Sequence, residues 1–225
     1  MDRRYFIAAG GLAIAGGAGW WFARPGAPGS TALVSGAEAQ GTAAATDADF
    51  AMVPDMVKGA EDAPVTIIEY ASFTCPHCAT FHMNVLPRLQ EAYIDTGKVR
   101  FINREVYFDR YGLWAAMLAR CGDDARYFPM IDMIYSTQRE WAASNDPAVV
   151  AENLRGLGRR SGLTNDEVDA CLQDADMARA MVAVYQHHAT RDGVQSTPSF
   201  MIDGEPYSNM SFEAFAEIID AKLGE

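Results

Sequence analysis

Two cysteines separated by a proline and a histidine, standing where a strand gives way to a helix, constrain this 225-residue chain most. The run Val65-Thr66-Ile67-Ile68-Glu69-Tyr70 is apolar and β-branched, the pattern of a buried strand. Phe73 and Thr74 form a short turn before Cys75, Pro76, His77 and Cys78. Phe81, Val85, Leu86 and Leu89 then recur at helical spacing. Cys75 therefore falls at a helix N-terminus, where unpaired N–H groups and the helix dipole favour negative charge. Pro76 suits the first turn, because it lacks only an N–H that the helix does not use. His77 adds a group that further stabilises a thiolate at Cys75, and the thiolate is the nucleophile of disulfide exchange. Cys78, one turn on, faces the same way and can close a disulfide with Cys75. A stabilised thiolate stabilises the reduced form, so that disulfide is expected to be an avid oxidant. Glu69, the odd polar residue of the strand, is placed beneath the cysteines to pass a proton to or from Cys78.

Two plainer uses of Cys-x-x-Cys compete. A zinc site needs two further ligands at matching spacing, and the chain has four histidines and no second Cys-x-x-Cys. A purely structural disulfide is the other, and a strand-to-helix junction favours reactivity over stapling. Redox chemistry is the stronger reading. No metal and no cofactor are expected.

The residues from Glu69 to Cys78 resemble the active site of DsbA-type thiol:disulfide oxidoreductases in the thioredoxin superfamily. Ser196-Thr197-Pro198-Ser199-Phe200 resembles the cis-proline loop of the same family. The resemblance extends over about residues 55 to 223. It implies that Pro198 is cis, that the loop lies against the cysteine pair, and that Thr197 offers its backbone to an extended substrate, as in β-strand addition. It further implies an oxidase acting on reduced, unfolded exported proteins and recharged by a DsbB-like, quinone-linked membrane protein. Two positions depart from the best-known oxidases. Thr197 stands where they carry valine, as in isomerases and some reductases, so its hydroxyl is expected to retune the redox potential or mixed-disulfide release. His82 stands where they carry an acid, and it reads as a surface helix residue.

Around that centre, the chain opens with Arg3-Arg4 and an apolar run from Tyr5 to Phe22. Residues 1–24 read as a signal peptide or an uncleaved membrane anchor, with the arginines serving a general basic n-region or a twin-arginine signal. Export to the periplasm is expected. Residues 25–50, rich in Ala, Gly, Thr and Pro, read as a flexible linker. They leave no room for the dimerisation domain of related isomerases, and a monomer is expected. The net charge of −12 argues against nucleic acid as a ligand.

Val99-Arg100-Phe101-Ile102-Asn103-Arg104-Glu105-Val106 reads as a second strand, completing a first thioredoxin-like segment over 51–109. Residues 110–192 show only helical patterns, with helix starts at Asp146-Pro147 and at the capping box Thr164-Asn165-Asp166-Glu167. Residues 193–225 return to the sheet through Pro198, a hairpin at Asp203-Gly204 and a last helix capped by Ser211. The expectation is an α/β, thioredoxin-like fold with an inserted all-helical domain. In an exported chain, Cys121 and Cys171 are expected to pair as a second, structural disulfide, with two buried free thiols as the alternative. Some DsbA-like proteins carry such a bridge, which favours pairing. His187 and His188 receive no role, and most of the eleven methionines read as core, although Met83 and Met201 fall near the site. Two functions compete with oxidation: a reductase or isomerase, which Thr197 favours, and a redox-inactive chaperone, against which the intact cysteine pair argues.

Overall fold

In a computed structural model describing residues 44–225, the apolar run before the cysteines is the central strand of a five-stranded sheet. In chain order the elements begin with α1 (Asp47–Met52), β1 (Met56–Lys58), β2 (Val65–Ala71), α2 (Pro76–Asn84) and α3 (Leu86–Leu89). A π-helical turn (Gln90–Ile94) leads from α3 to β3 (Val99–Glu105). Six helices follow: α4 (Arg110–Ala119), α5 (Asp124–Ser136), α6 (Gln138–Trp141), α7 (Pro147–Arg160), α8 (Asn165–Leu172) and α9 (Ala175–Arg191). The described chain closes with β4 (Ser199–Ile202), β5 (Glu205–Ser208) and α10 (Phe212–Leu223).

The strand order is β1-β3-β2-β4-β5, with β2 parallel to β3 and the other pairs antiparallel. This is a thioredoxin-like sheet with an all-helical insertion between β3 and β4. A parallel pair needs a crossover, and α2, α3 and the π turn supply it. Register sets Glu69 opposite Asn103 on one side and Phe200 on the other. Pro206 sits in the edge strand β5, where its missing N–H costs no inner ladder bond.

Two apolar clusters hold the molecule. One is built from Val65, Ile67, Phe101 and Phe200 of the sheet with Phe81, Leu86, Leu89, Phe215 and Ile219 of the helices. The other fills the helical insertion and reaches Ala71, Phe73 and Cys78 at the end of β2 and the start of α2. Cys78 thus stands where the insertion meets the sheet. Glu105, buried at the end of β3, is held by a bidentate pair from Arg120 (2.8 and 2.7 Å) and by the Tyr127 hydroxyl at 2.8 Å. Asn103 donates to the same tyrosine oxygen at 2.6 Å, so a line of hydrogen bonds crosses from strand to insertion.

Cys121 and Cys171 form a disulfide in this structure, with Cα atoms 5.8 Å apart. It ties the end of α4 to α8. Close approach there depends on Gly158, where a Cβ would lie 2.5 Å from Val168 and 3.1 Å from Leu118.

The anticipated linker does not run through residue 50. Thr46 and Asp49 form a capping box that starts α1, and Phe50 packs edge-on against His187 and His188 with ring centroids 5.1 and 5.6 Å away. Strand β1 was not anticipated either. It is three residues long, too short for an alternating pattern to register. The signal segment and most of the linker lie outside the described residues. Among the described residues, no helix is long and apolar enough to cross a membrane.

Candidate active site

The site is assembled from β2, the first turn of α2, the insertion and the loop before β4. Cys75 is the N-cap of α2 and has no side-chain cap bond of its own, while Pro76 takes the first helical position. The preceding turn is fixed from two sides. The Cys75 amide donates to Ser72 O at 3.1 Å, and the Thr74 hydroxyl donates to Asp109 at 2.6 Å. Asp109 also caps α4 by accepting from Gly112 N at 2.9 Å, so the first helix of the insertion is anchored to the cysteine turn.

Both active-site cysteines are free thiols in this structure, Cys75 half-buried and Cys78 wholly buried. The Thr197–Pro198 bond is cis, and Cys75 Sγ donates to the Thr197 carbonyl at 3.4 Å, which brings the late loop directly onto the cysteine pair. The Cys75 thiol is depressed to about 5. The chief cause is the Cys78 thiol, which donates to the Cys75 sulfur when it is ionised. Burial opposes the shift. The Thr197 side chain and the backbone N–H groups of Cys78 and His77 reinforce it. His77 itself is exposed, so the contact it makes with the thiolate is its amide rather than its ring. Cys78 is driven the other way, well above an ordinary thiol, by burial first and then by the neighbouring Cys75 and Glu69 charges. One sulfur is an ion near neutral pH and the other is a thiol.

Glu69 is fully buried on β2, as its strand position implied. His82 does not sit on the surface. It is buried beside Glu69, with Nε2 2.8 Å from Oε2, and its ring stacks on Tyr135 at a centroid distance of 4.3 Å. The reason is tertiary: α5 of the insertion lies over the face of α2 that a bare thioredoxin-like domain would leave to solvent.

Gln138 is a site residue that sequence reasoning missed. At the start of α6, its buried amide donates to the carbonyls of Phe73 (2.7 Å) and Cys75 (3.0 Å), holding the turn from the insertion side. No local pattern marks it, because the partners are more than sixty positions away. Replacing Gln138 with Leu strands the buried Phe73 carbonyl, while Cys75 O keeps the Ala79 N–H at 3.2 Å, and should lower unfolding stability by about 1–3 kcal/mol. Urea denaturation measures this, and a change below experimental error would show that water reaches that carbonyl. Among the described residues, no group of three or more His, Cys, Asp or Glu side chains could hold a metal.

Fold and site together are those of a thioredoxin-like dithiol protein. A family model described as thioredoxin matches residues 51–221, and the solved structure of Wolbachia pipientis alpha-DsbA1 superimposes with a TM-score of 0.71 at 29% identity, covering 76% of this chain and 92% of that one. The chain belongs to the thioredoxin family, in its DsbA-like branch. It is 34% identical over 172 residues to a Rickettsia bellii protein named putative protein-disulfide oxidoreductase, covering 76% of this chain and 65% of the relative. It is 40% identical over 180 residues to disulfide bond formation protein D of Bacillus subtilis, covering 74% of this chain and 76% of the relative. The chain thus spans just under two thirds of the length of the Rickettsia relative.

Proposed function

We propose that the protein is an exported thiol:disulfide oxidoreductase that donates a Cys75–Cys78 disulfide to folding proteins. The observation that carries this reading is the asymmetry of the pair, with Cys75 depressed to about 5 and Cys78 raised by burial. A disulfide whose reduced form includes a strongly stabilised thiolate gains free energy on reduction, so it oxidises other dithiols. A substrate thiolate attacks Cys75 Sγ, the more exposed sulfur. The Cys75–Cys78 bond breaks, its electron pair goes to Cys78, and Cys78 takes up a proton with the help of Glu69. A second substrate thiolate then attacks the substrate sulfur of the mixed disulfide and expels the Cys75 thiolate. The substrate leaves as a disulfide and the protein as a dithiol.

Thr197 and Pro198 border Cys75 and would receive the substrate backbone, and the exposed His77 ring stands beside the point of attack. The names of the relatives support the chemistry, and the Cys121–Cys171 bridge supports an oxidising compartment. Reoxidation of the dithiol requires an electron acceptor, for which a DsbB-like, quinone-linked membrane protein fits the family.

Equilibration of the full-length protein with glutathione buffers tests the direction of transfer. A potential well above the glutathione couple is expected, with oxidation of a reduced, unfolded substrate that Cys75→Ser abolishes. A potential near the about −270 mV of thioredoxin would make the protein a reductase. Uptake of the unfolded substrate without oxidation, equal in the wild type and Cys75→Ser, would leave only a holdase.

A further inference from the structure

We propose that His82 is a positioning residue for the exchange step, the second station of a proton route from Cys78 through Glu69 to a groove on the far side of α2. The inference deepens the proposed thiol exchange and rests on it. Three observations carry it. Glu69 and His82 are both completely buried and share a 2.8 Å hydrogen bond, so either can pass a proton to the other without moving. Each also keeps one buried polar atom with no partner, Glu69 Oε1 and His82 Nδ1, which leaves each group able to take part in a second transfer. Finally, the His82 ring, although buried, borders a groove of about 650 Å³ between α2–α3 and α5, lined also by Lys58, Gln90, Asp132 and Ser136. Through His82 the groove adjoins a carboxylate that is itself wholly buried.

The need for such a route follows from the site. Cys78 is fully buried and must gain a proton each time the disulfide is reduced and lose one each time it is reformed. Cys75 cannot serve as that donor, since it is itself expelled as a thiolate. Glu69 and Cys78 are both wholly buried, on the strand before and the helix after the cysteine turn, and the Glu69 charge opposes ionisation of Cys78. In the oxidising direction, Glu69 gives its proton to the Cys78 thiolate as the Cys75–Cys78 bond breaks. His82 Nε2–H then restores the proton to Glu69, and Nδ1 is replenished from water in the groove. In reoxidation the proton travels the other way.

The groups facing His82 set its surroundings. They are Glu69 from β2, Cys78 on its own helix, and Tyr135 and Asp132 from α5. Lys58 from β1, with Glu91 and Asp95 from the π turn and its end, lines the rest of the groove. Tyr135 is held protonated by its burial and then by the nearby Cys78 and Glu69 charges, so it packs the imidazole in place without competing for the proton.

Single-turnover oxidation of a short dithiol peptide by the oxidised full-length protein, followed from pH 5 to 9, tests the route. His82→Gln keeps a donor toward Glu69 but cannot carry a proton through. It should slow exchange about tenfold, less than the about hundredfold expected when a positioned acid or base itself is lost. It should also flatten the pH profile and add nothing to Glu69→Gln in the double variant. A wild-type rate and profile in His82→Gln, or full additivity with Glu69→Gln, would overturn the inference. Should His82→Gln not fold, nitrogen-15 spectra of the wild-type His82 ring decide. Its ring-nitrogen shifts are expected to differ between the oxidised and reduced protein, and identical spectra would also overturn the proposal. A wild-type protein that fails to oxidise the peptide would instead overturn the proposed function.

Discussion

Alkylation of the reduced full-length protein by iodoacetamide is expected to label Cys75 with a midpoint near pH 5, while Cys78 stays unlabelled throughout the neutral range. A free thiol titrates near 8.5, so the reduced protein holds a thiolate under conditions where an unfolded chain does not. The linkage to stability has a definite sign. Because the folded pKa lies below the unfolded one, the thiolate contributes nothing below pH 5. Its contribution grows between pH 5 and about 8.5, and it is complete above that. Cys78 acts oppositely. Its raised folded pKa means that the unfolded chain alone can ionise this thiol, so stability is withdrawn above about pH 8.5. The reduced protein should therefore out-melt the oxidised one most clearly from pH 7 to 8.5 and lose that margin as the pH falls to 5. Thr197→Val removes one of the groups that hold the thiolate and should raise the Cys75 midpoint by about one pH unit, within the range of a hydrogen bond to a charged group. A midpoint near 8 in the wild type would remove the basis for an oxidant. An unchanged midpoint in Thr197→Val would assign the shift to Cys78 and the backbone alone.

The second large effect concerns the Cys121–Cys171 bridge. The two residues are 50 positions apart, and closing a loop of that size removes about 4 kcal/mol of entropy from the unfolded chain. Cys121 is also buried against the core of the insertion, so the double variant Cys121→Ala and Cys171→Ala loses packing as well. For a domain of this size, 1 kcal/mol corresponds to about 2–4 °C, and the thermal midpoint is expected to fall by about 10 °C. Differential scanning calorimetry of both forms measures it. A fall of less than about 2 °C would mean that the unfolded chain is already restrained in this region or that the bridge is strained.

Much of this molecule was legible before any coordinates. A β-branched run, a turn, Cys-Pro-His-Cys and a helical period place a dithiol at a helix N-terminus. The reason is local: period, proline position and the unpaired N–H groups of a first turn depend on neighbours in sequence. The caps at Asp146, Thr164 and Ser211 are found where the residues place them, because a cap is a contact between residues two or three apart. The buried carboxyl of Glu69 could be read too, as a polar interruption of an apolar strand.

His82 and Gln138 could not be read that way. Each is polar on a short helix, the usual mark of a solvated face, and each is buried by a distant part of the chain, His82 by the helix carrying Tyr135 and Gln138 by the cysteine turn. The capping helix α1 escaped notice because low apolar content concealed a single anchoring residue, Phe50, whose partners lie far down the chain.

Sequence by itself determined that the cysteine pair opens a helix, which strand carries the carboxyl and that a run of helices interrupts the thioredoxin-like sheet. Tertiary structure alone decided that Gln138 holds the turn and that a histidine on the back of the active-site helix is enclosed with Glu69. The first group follows from interactions within a turn or a strand. The second depends on burial, and burial is set by whatever long-range packing brings to the other side of a residue.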